Sequence, residues 1–365
     1  MLRGVNVNTE SKFHDDDFVY IDKEWADTEF SKFTCECDDV ILCHKGTLGK
    51  IGIIPESSKF SKYIMGNSMM KVRTNNEKLT ALFLYYWLIS SAGQNHIFNR
   101  VSQVGVPQIQ RPLTTLREAK LQHPPLPEQK AIAAVLGSLD DKIELLREQN
   151  ETLEALAQTL FKRWFIDFNF PDENGNAYKD SGGKMSPSEL GEIPEGWRVG
   201  KLSEAVTVRY GKDHKKLEDG NFPCYGSGGI MRHVETALCS QKESVLIPRK
   251  GTLSNLMYVR QPFWSVDTMF FTEFGIPNFV KYFFLTMKKI NLEEMNVGSA
   301  VPSMTTAVLN EMRLLYPPSM ILKMFEKLSE GFYNKKIHNS QQIQTLTQLR
   351  DTLLPKLMKG EIRIK

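Results

Sequence analysis

The run EQKAIAAVLGSLDDKIELLREQNETLEALAQTLFKRWF, residues 128–165, contains no proline and a single glycine. Within it Ile132, Leu136, Leu139, Ile143, Leu146, Asn150, Leu153, Ala157, Leu160 and Trp164 follow one another at alternating steps of four and three. That is the heptad spacing of a helix that buries one seam against another helix. A second run, from about Met320 to Lys359, repeats the stripe 193 residues later as Phe325, Ser329, Phe332, Lys336, Asn339, Ile343, Leu346, Arg350, Leu353 and Leu357. This second stripe is more polar, so its ends are expected to carry most of the packing. Pro355 is expected to kink or break its last turn, because proline has no N–H to donate to the preceding turn.

Chain order predicts how the two helices pair. The first leaves one globular region and leads to another, and the second leaves that other region. If they share a seam they run antiparallel. A register that pairs Asn150 with Asn339 also sets Ile132 opposite Leu357, Leu136 opposite Leu353 and Leu160 opposite Ser329. Two readings of the asparagines stay open: polar residues tolerated in a wet seam, or buried groups that fix register.

Working outward, the sequence repeats itself. Asp39-Val-Ile-Leu-Cys-His-Lys-Gly-Thr-Leu48 returns as Ser244-Val-Leu-Ile-Pro-Arg-Lys-Gly-Thr-Leu253, Tyr85-Tyr-Trp-Leu88 as Tyr282-Phe-Phe-Leu285, and Pro124-Pro125 as Pro317-Pro318. A period near 200 is too long for a solenoid repeat and reads as a duplicated domain plus connector. Each half runs from short β-type segments, through an aromatic helix (Leu79–Ser90 or Pro277–Met287) and a glycine turn, to a proline step before its long helix. The aromatic runs Phe83–Leu88 and Phe279–Leu285 suit a helix packed in a core better than a base-stacking platform. The expected fold is α+β: two tandem α/β domains separated by two long antiparallel helices forming a coiled-coil spacer, with pseudo-two-fold symmetry. The expected parts are a first domain over 1–125, a connector helix over 126–168, a linker over 169–195, a second domain over 196–318, and a second connector helix with tail over 319–365. The first half has no equivalent of Glu192–Ala205, so its domain is expected to be incomplete at its N-terminal side.

Composition bounds the function. The chain has 365 residues, 41% of them hydrophobic and 24% charged, which excludes wholly disordered and collagen-like classes. No apolar run approaches the roughly 20 residues needed to span a bilayer. With five irregularly spaced cysteines and no basic-then-apolar leader, a reduced, cytoplasmic setting is expected. The net charge of +3 permits nucleic-acid binding without demanding it.

Catalytic patterns are weak. Gly226-Ser-Gly228-Gly229 lacks the spacing and the following Lys-Ser/Thr of a phosphate loop and reads as a turn. Cys35, Cys37, Cys43 and His44 lack a second ligand pair for zinc. Asp172 and Glu173 faintly suggest a carboxylate pair, but they sit in a Gly-, Ser-, Asn- and Pro-rich stretch that reads as a linker or surface loop. No acidic or asparagine residue precedes a Pro-Pro-aromatic run, as amino-methyltransferases require. No catalytic residue, metal or cofactor is expected.

Several motifs carry a resemblance. They are Pro125-Leu-Pro-Glu-Gln129 followed by Leu139-Asp-Asp-Lys-Ile143, then Leu160-Phe-Lys-Arg-Trp-Phe-Ile-Asp-Phe168, Leu190-Gly-Glu-Ile-Pro-Glu-Gly-Trp197 and Leu353-Leu-Pro-Lys-Leu-Met-Lys-Gly-Glu-Ile362. Together they resemble the DNA-specificity subunit of type I restriction-modification systems. The resemblance implies two target-recognition domains, each reading one half of a split, asymmetric site in double-stranded DNA. It implies as partners an adenine-N6 methyltransferase subunit in two copies and an ATP-dependent translocase–nuclease subunit, with no membrane.

Base reading needs donors and acceptors at groove edges, with Lys and Arg on phosphates. Candidates in the first half are Lys45, Thr47, Lys50, Arg100, Gln103, Gln108, Gln110 and Arg111. Those in the second are Arg209, Lys212, Lys215, Lys216, Arg249, Lys250, Thr252, Ser299, Ser303 and Thr305. Each could instead be a solvated surface residue, and the Lys-Gly-Thr glycines could simply supply a turn with positive φ. A rival reading is a structural scaffold or silent recombination cassette that assembles with the methyltransferase but specifies no site.

Overall fold

The structure is a computed structural model and describes residues 1–7, 11–102, 106–295 and 303–364. The chain divides into two compact units, one of Met1–Gln149 with His338–Lys365 and one of Asn150–Ile337.

In the first unit a three-stranded antiparallel sheet has the order Ile51–Ile53, Val40–Cys43, Met69–Val72. All four residues of the central strand are buried, as expected of an unbroken Val-Ile-Leu-Cys run covered on both faces. Against the sheet lies the helix Ala81–Ile89, whose Phe83, Tyr85, Tyr86 and Trp87 are buried. It is apolar all round, so the reading as a core helix holds.

The long helix Leu126–Phe161 begins in this unit. Its start is fixed by Gln129, which is wholly buried. The Gln129 amide accepts from the Thr80 N–H at 3.0 Å and donates to the carbonyls of Lys78 and Pro124, both at 2.9 Å. One side chain thereby ties the start of the aromatic helix to the start of the long one. Further along, Tyr86 donates to Asp140 at 2.6 Å, and Asp140 also accepts from Arg350 at 2.9 Å. Ile132 and Leu136 share a core with Leu354 and Leu357 of the second long helix.

That second helix spans Ser319–Met358 and runs through Pro355. The expected break does not occur. Proline here forfeits only the bond to the Asp351 carbonyl, three residues before the helix ends, while the buried Leu354 and Leu357 hold the turn in place. Within the first unit the two helices are antiparallel: Asp140 meets Arg350 and Gln149 meets Asn339, so one numbering climbs as the other falls.

The second unit repeats the plan. Its main sheet has the order Val206–Tyr210, Met269–Phe274, Ser244–Pro248, Met257–Val259, with antiparallel neighbours throughout. Ser244–Pro248 again has every residue buried. The helix Val280–Lys289 buries Tyr282, Phe283 and Phe284 as its counterpart does. The hairpin Asp219–Gly226 and Gly229–Val234 forms a second small sheet with Trp264–Ser265. In this unit too the long helices run antiparallel, with Glu154 bonded to Lys336 and Trp164 packed on Phe325.

The long helix ends in a π-turn, Lys162–Ile166, that swings Trp164 and Phe165 into the core. Residues 169–195, read from sequence as a linker, are held in place by an aromatic stack. Phe170 stacks on Tyr178 at 4.7 Å and on Trp197 at 5.1 Å. The segment also contains the hairpin Met185–Ser188 and Gly191–Pro194. Asp172 serves this local turn: its carboxylate accepts from the N–H groups of Asn174 and Asn176, both at 2.8 Å.

Candidate nucleic-acid interface

In the first unit, backbone bonds bring together two segments sixty residues apart. The Ile109 N–H donates to the His44 carbonyl at 2.9 Å, and the Gly46 N–H to Pro107 at 3.1 Å. Lys45 and Gln108 form an antiparallel bridge. Gly46 has φ +79°, so this glycine supplies the turn and leaves Lys45 and Thr47 exposed on either side. Gln108, Gln110 and Arg111 are exposed beside them. Arg111 adopts the left-handed region, φ +47°, and its carbonyl accepts from the Thr115 N–H at 2.9 Å as the short helix Pro112–Arg117 begins. The result is one patch carrying an ammonium, two carboxamides and a guanidinium.

The second unit builds the same junction. The Met304 N–H donates to the Arg249 carbonyl at 2.9 Å, and Lys250 bridges Ser303. Gly251, with φ +87°, makes the matching turn between exposed Lys250 and Thr252. Further neighbours lie around it. Arg249 lies over the Tyr210 ring at 5.3 Å, and the Tyr210 hydroxyl is 3.3 Å from that of Thr306. The Gly226–Gly229 turn joins the patch, since Asn255 donates to the Ser227 carbonyl at 2.5 Å beside the Lys250 loop. A hairpin tip with exposed Ile230 and Met231 stands next to it. The glycine run gave a signal for a turn, but nothing in it gave the turn's partner.

The other candidates fall less neatly. Arg100 is ion-paired with Glu118, and Arg209 with Glu273 at 2.9 Å. Lys50 sits on the strand side of its loop, its carbonyl accepting from the Cys43 N–H at 2.9 Å. Lys212 is exposed, with its backbone fixed between Ser265 and the Trp264 indole N–H. Lys215 and Lys216 are exposed in the same loop, and Thr305 caps the short helix Thr306–Glu311. Gln103 and Ser299 lie outside the described residues. Asn339 is wholly buried and donates to Gln149 at 3.3 Å. The Cys35 and Cys43 thiols are buried while Cys37 is exposed, and burial pushes the Cys35 thiol up to about 12, far from a reactive thiolate.

One charged cluster lies away from these loops. Lys281 is wholly buried, with its ammonium 2.5 Å from Glu330 and 3.7 Å from Glu243, and bonded to Glu326. Arg260 joins the group, 2.7 Å from Glu330 and 3.2 Å from Glu243. The three glutamates converge closely enough to hold a cation, but the lysine ammonium already occupies that position. Burial pushes Glu330 up, yet the Lys281 and Arg260 charges outweigh this and hold it at about 2. Burial dominates at Glu326 and raises it. The cluster joins the aromatic helix to the second long helix, as the Tyr86–Asp140–Arg350 chain does in the first unit.

Among the described residues no helix is long and apolar enough to cross a membrane. A sequence model of the type I restriction modification DNA specificity domain matches residues 7–155 and 194–348. The MjaIX type I restriction enzyme specificity subunit of Methanocaldococcus jannaschii is 29% identical over 277 residues, covering 69% of this chain and 62% of that protein. The HindI specificity subunit of Haemophilus influenzae is 23% identical, covering 82% of this chain and 81% of its own. Among solved structures, the S subunit of a type I restriction-modification system from M. genitalium superposes with a TM-score of 0.61 at 19% identity, over 98% of this chain and 91% of that one.

Proposed function

Because this chain belongs to the type I restriction-modification DNA specificity family, we propose that it is the non-catalytic subunit that tells its complex where to act. Each unit reads one half of a bipartite, asymmetric site in double-stranded DNA. The reading surfaces are the junctions around Lys45, Thr47, Gln108 and Arg111 in one unit and Arg249, Lys250, Thr252 and Ser303 in the other. The observation that carries this is the recurrence of one backbone junction in both units, with different side chains displayed on it. Equivalent frames with unlike side chains suit two different half-sites, because groove-edge patterns are read by side chains on a fixed backbone.

The partners in this reading are an adenine-N6 methyltransferase subunit, in two copies, and an ATP-dependent translocase–nuclease subunit. The complex acts in the cytoplasm, and this chain supplies no reacting group. The test is co-expression with the cognate methyltransferase subunit, followed by genome-wide mapping of adenine methylation. A split motif with two unlike halves is the expected outcome. A stable complex that leaves the genome unmodified would refute the reading in favour of a scaffold.

A further inference from the structure

The arginines of the second unit fall into two groups. Arg198, Arg209, Arg232, Arg260 and Arg313 each pair with a glutamate or aspartate. Among the described residues, Arg163 and Arg249 do not. Arg163 is exposed in the π-turn that ends the first long helix. Arg249 stands half-buried at the junction that carries Lys250 and Ser303, and the groups that hold it are neutral. Its N–H donates to Thr268 at 2.8 Å and its carbonyl accepts from Met304 at 2.9 Å, so the backbone is pinned. Its Nη1 donates to the Asp267 carbonyl at 3.0 Å, and its guanidinium lies over the Tyr210 ring.

These contacts orient the guanidinium without neutralising it and, among the described residues, use one of its five N–H groups. A planar, pre-oriented, uncompensated fork at the edge of a DNA-reading surface matches the paired acceptors O6 and N7 of guanine in the major groove. From this geometry, and resting on the function proposed above, we infer that Arg249, braced by Tyr210, selects a guanine in the half-site read by the second unit. The first unit places His44 at the same position of the same junction, its carbonyl accepting from Ile109 as that of Arg249 accepts from Met304. The arginine-borne guanine contact therefore belongs to one half-site.

The experiment uses the full chain co-expressed with its methyltransferase subunit. Methylation maps and competition binding to a randomised duplex library are compared for wild type, Arg249→Lys, Arg249→Ala, Tyr210→Leu and Tyr210→Phe. A bidentate base contact supplies about 5- to 150-fold discrimination at its position. Arg249→Ala and Arg249→Lys should both lose that factor at one guanine while the other positions hold. Tyr210→Leu should lose part of it, and Tyr210→Phe, which keeps the ring, should lose little. If Arg249 instead touches a phosphate, Arg249→Lys will keep the base preference and Arg249→Ala will weaken all duplexes alike, and the inference falls. It also falls if wild type reads no guanine in either half. A wild-type complex with no sequence preference would sink the proposed function and this inference together, whereas a wild-type motif unchanged in Arg249→Ala sinks the inference alone.

Discussion

Replacing Lys281 with methionine keeps most of the length of a wholly buried side chain and removes its charge. Glu243, Glu326 and Glu330 then face one another with Arg260 as the remaining cation beside them among the described residues. Removing one partner of a buried pair costs about 3–5 kcal/mol. The lower figure applies here, because Glu326 and Glu330 keep 20% and 35% of their side-chain exposure. At about 2–4 °C per kcal/mol for a unit of this size, the transition that melts the second unit should fall by about 6–12 °C. Adding Glu326→Gln and Glu330→Gln removes the repulsion and should recover most of the loss, since a neutral replacement of a buried ion cluster is often close to neutral in stability. The pH dependence has a definite sign. Without the lysine the Glu326 and Glu330 carboxyls are pushed up, so the penalty is full at pH 7 and eases as pH falls toward their range. In the wild type, where Glu330 is held at about 2, the stabilisation is full above its ordinary 4.5 and fades as pH drops from there through 2. Thermal melts of the full chain at pH 7 and pH 5.5, with hydrogen exchange over 319–333 as the local readout, test this. A shift under 2 °C at pH 7, or no recovery in the triple variant, would refute the reasoning.

Other consequences follow from the same contacts. Gln129→Ala strands the Thr80 N–H and two carbonyls and should cost about 2–3 kcal/mol, read as a lower melting temperature of the first unit. Gly251→Ala meets open space, its nearest neighbour being 3.7 Å away, but forces alanine to φ +87°; about 1–2 kcal/mol of backbone strain should reshape the loop, with the second half of the methylated motif degraded and the first half intact. Lys288 and Lys336 overcome burial to hold Glu154 at about 2, so this carboxylate contributes about 1 kcal/mol after solvent screening, present above pH 4.5 and lost as pH falls from there through 2; Glu154→Gln should flatten that part of an acid-unfolding curve. Lys45→Ala and Lys250→Ala should each weaken binding to all duplexes and lower the salt slope by about one, without changing the preferred sequence.

The long helices were legible because a heptad stripe reports the buried face directly. The antiparallel sense came from chain order alone. The central strands were legible because a strand covered on both faces must be apolar throughout. The expected break at Pro355 failed because local backbone preference was weighed without Leu354 and Leu357, which are buried on either side of it. The candidate site was half visible. The repeated Lys-Gly-Thr announced a turn, but the strip that lies against each turn comes from about sixty residues later, and no periodicity encodes that distance. Tyr210 was invisible for the same reason: its significance lies in Arg249, just past the end of another strand. Lys281 sits in an aromatic helix where sequence gives no reason to bury a charge, because its three acidic partners are scattered over nearly ninety residues.

The two junctions are closed by main-chain groups, which every residue except proline supplies alike. Apart from Gly46 and Gly251, whose positive φ the turns require, their shape is therefore insured against changes in what they display. In a duplicated chain with this construction, the residues displayed on each junction can change one at a time while the frame that holds them stays the same.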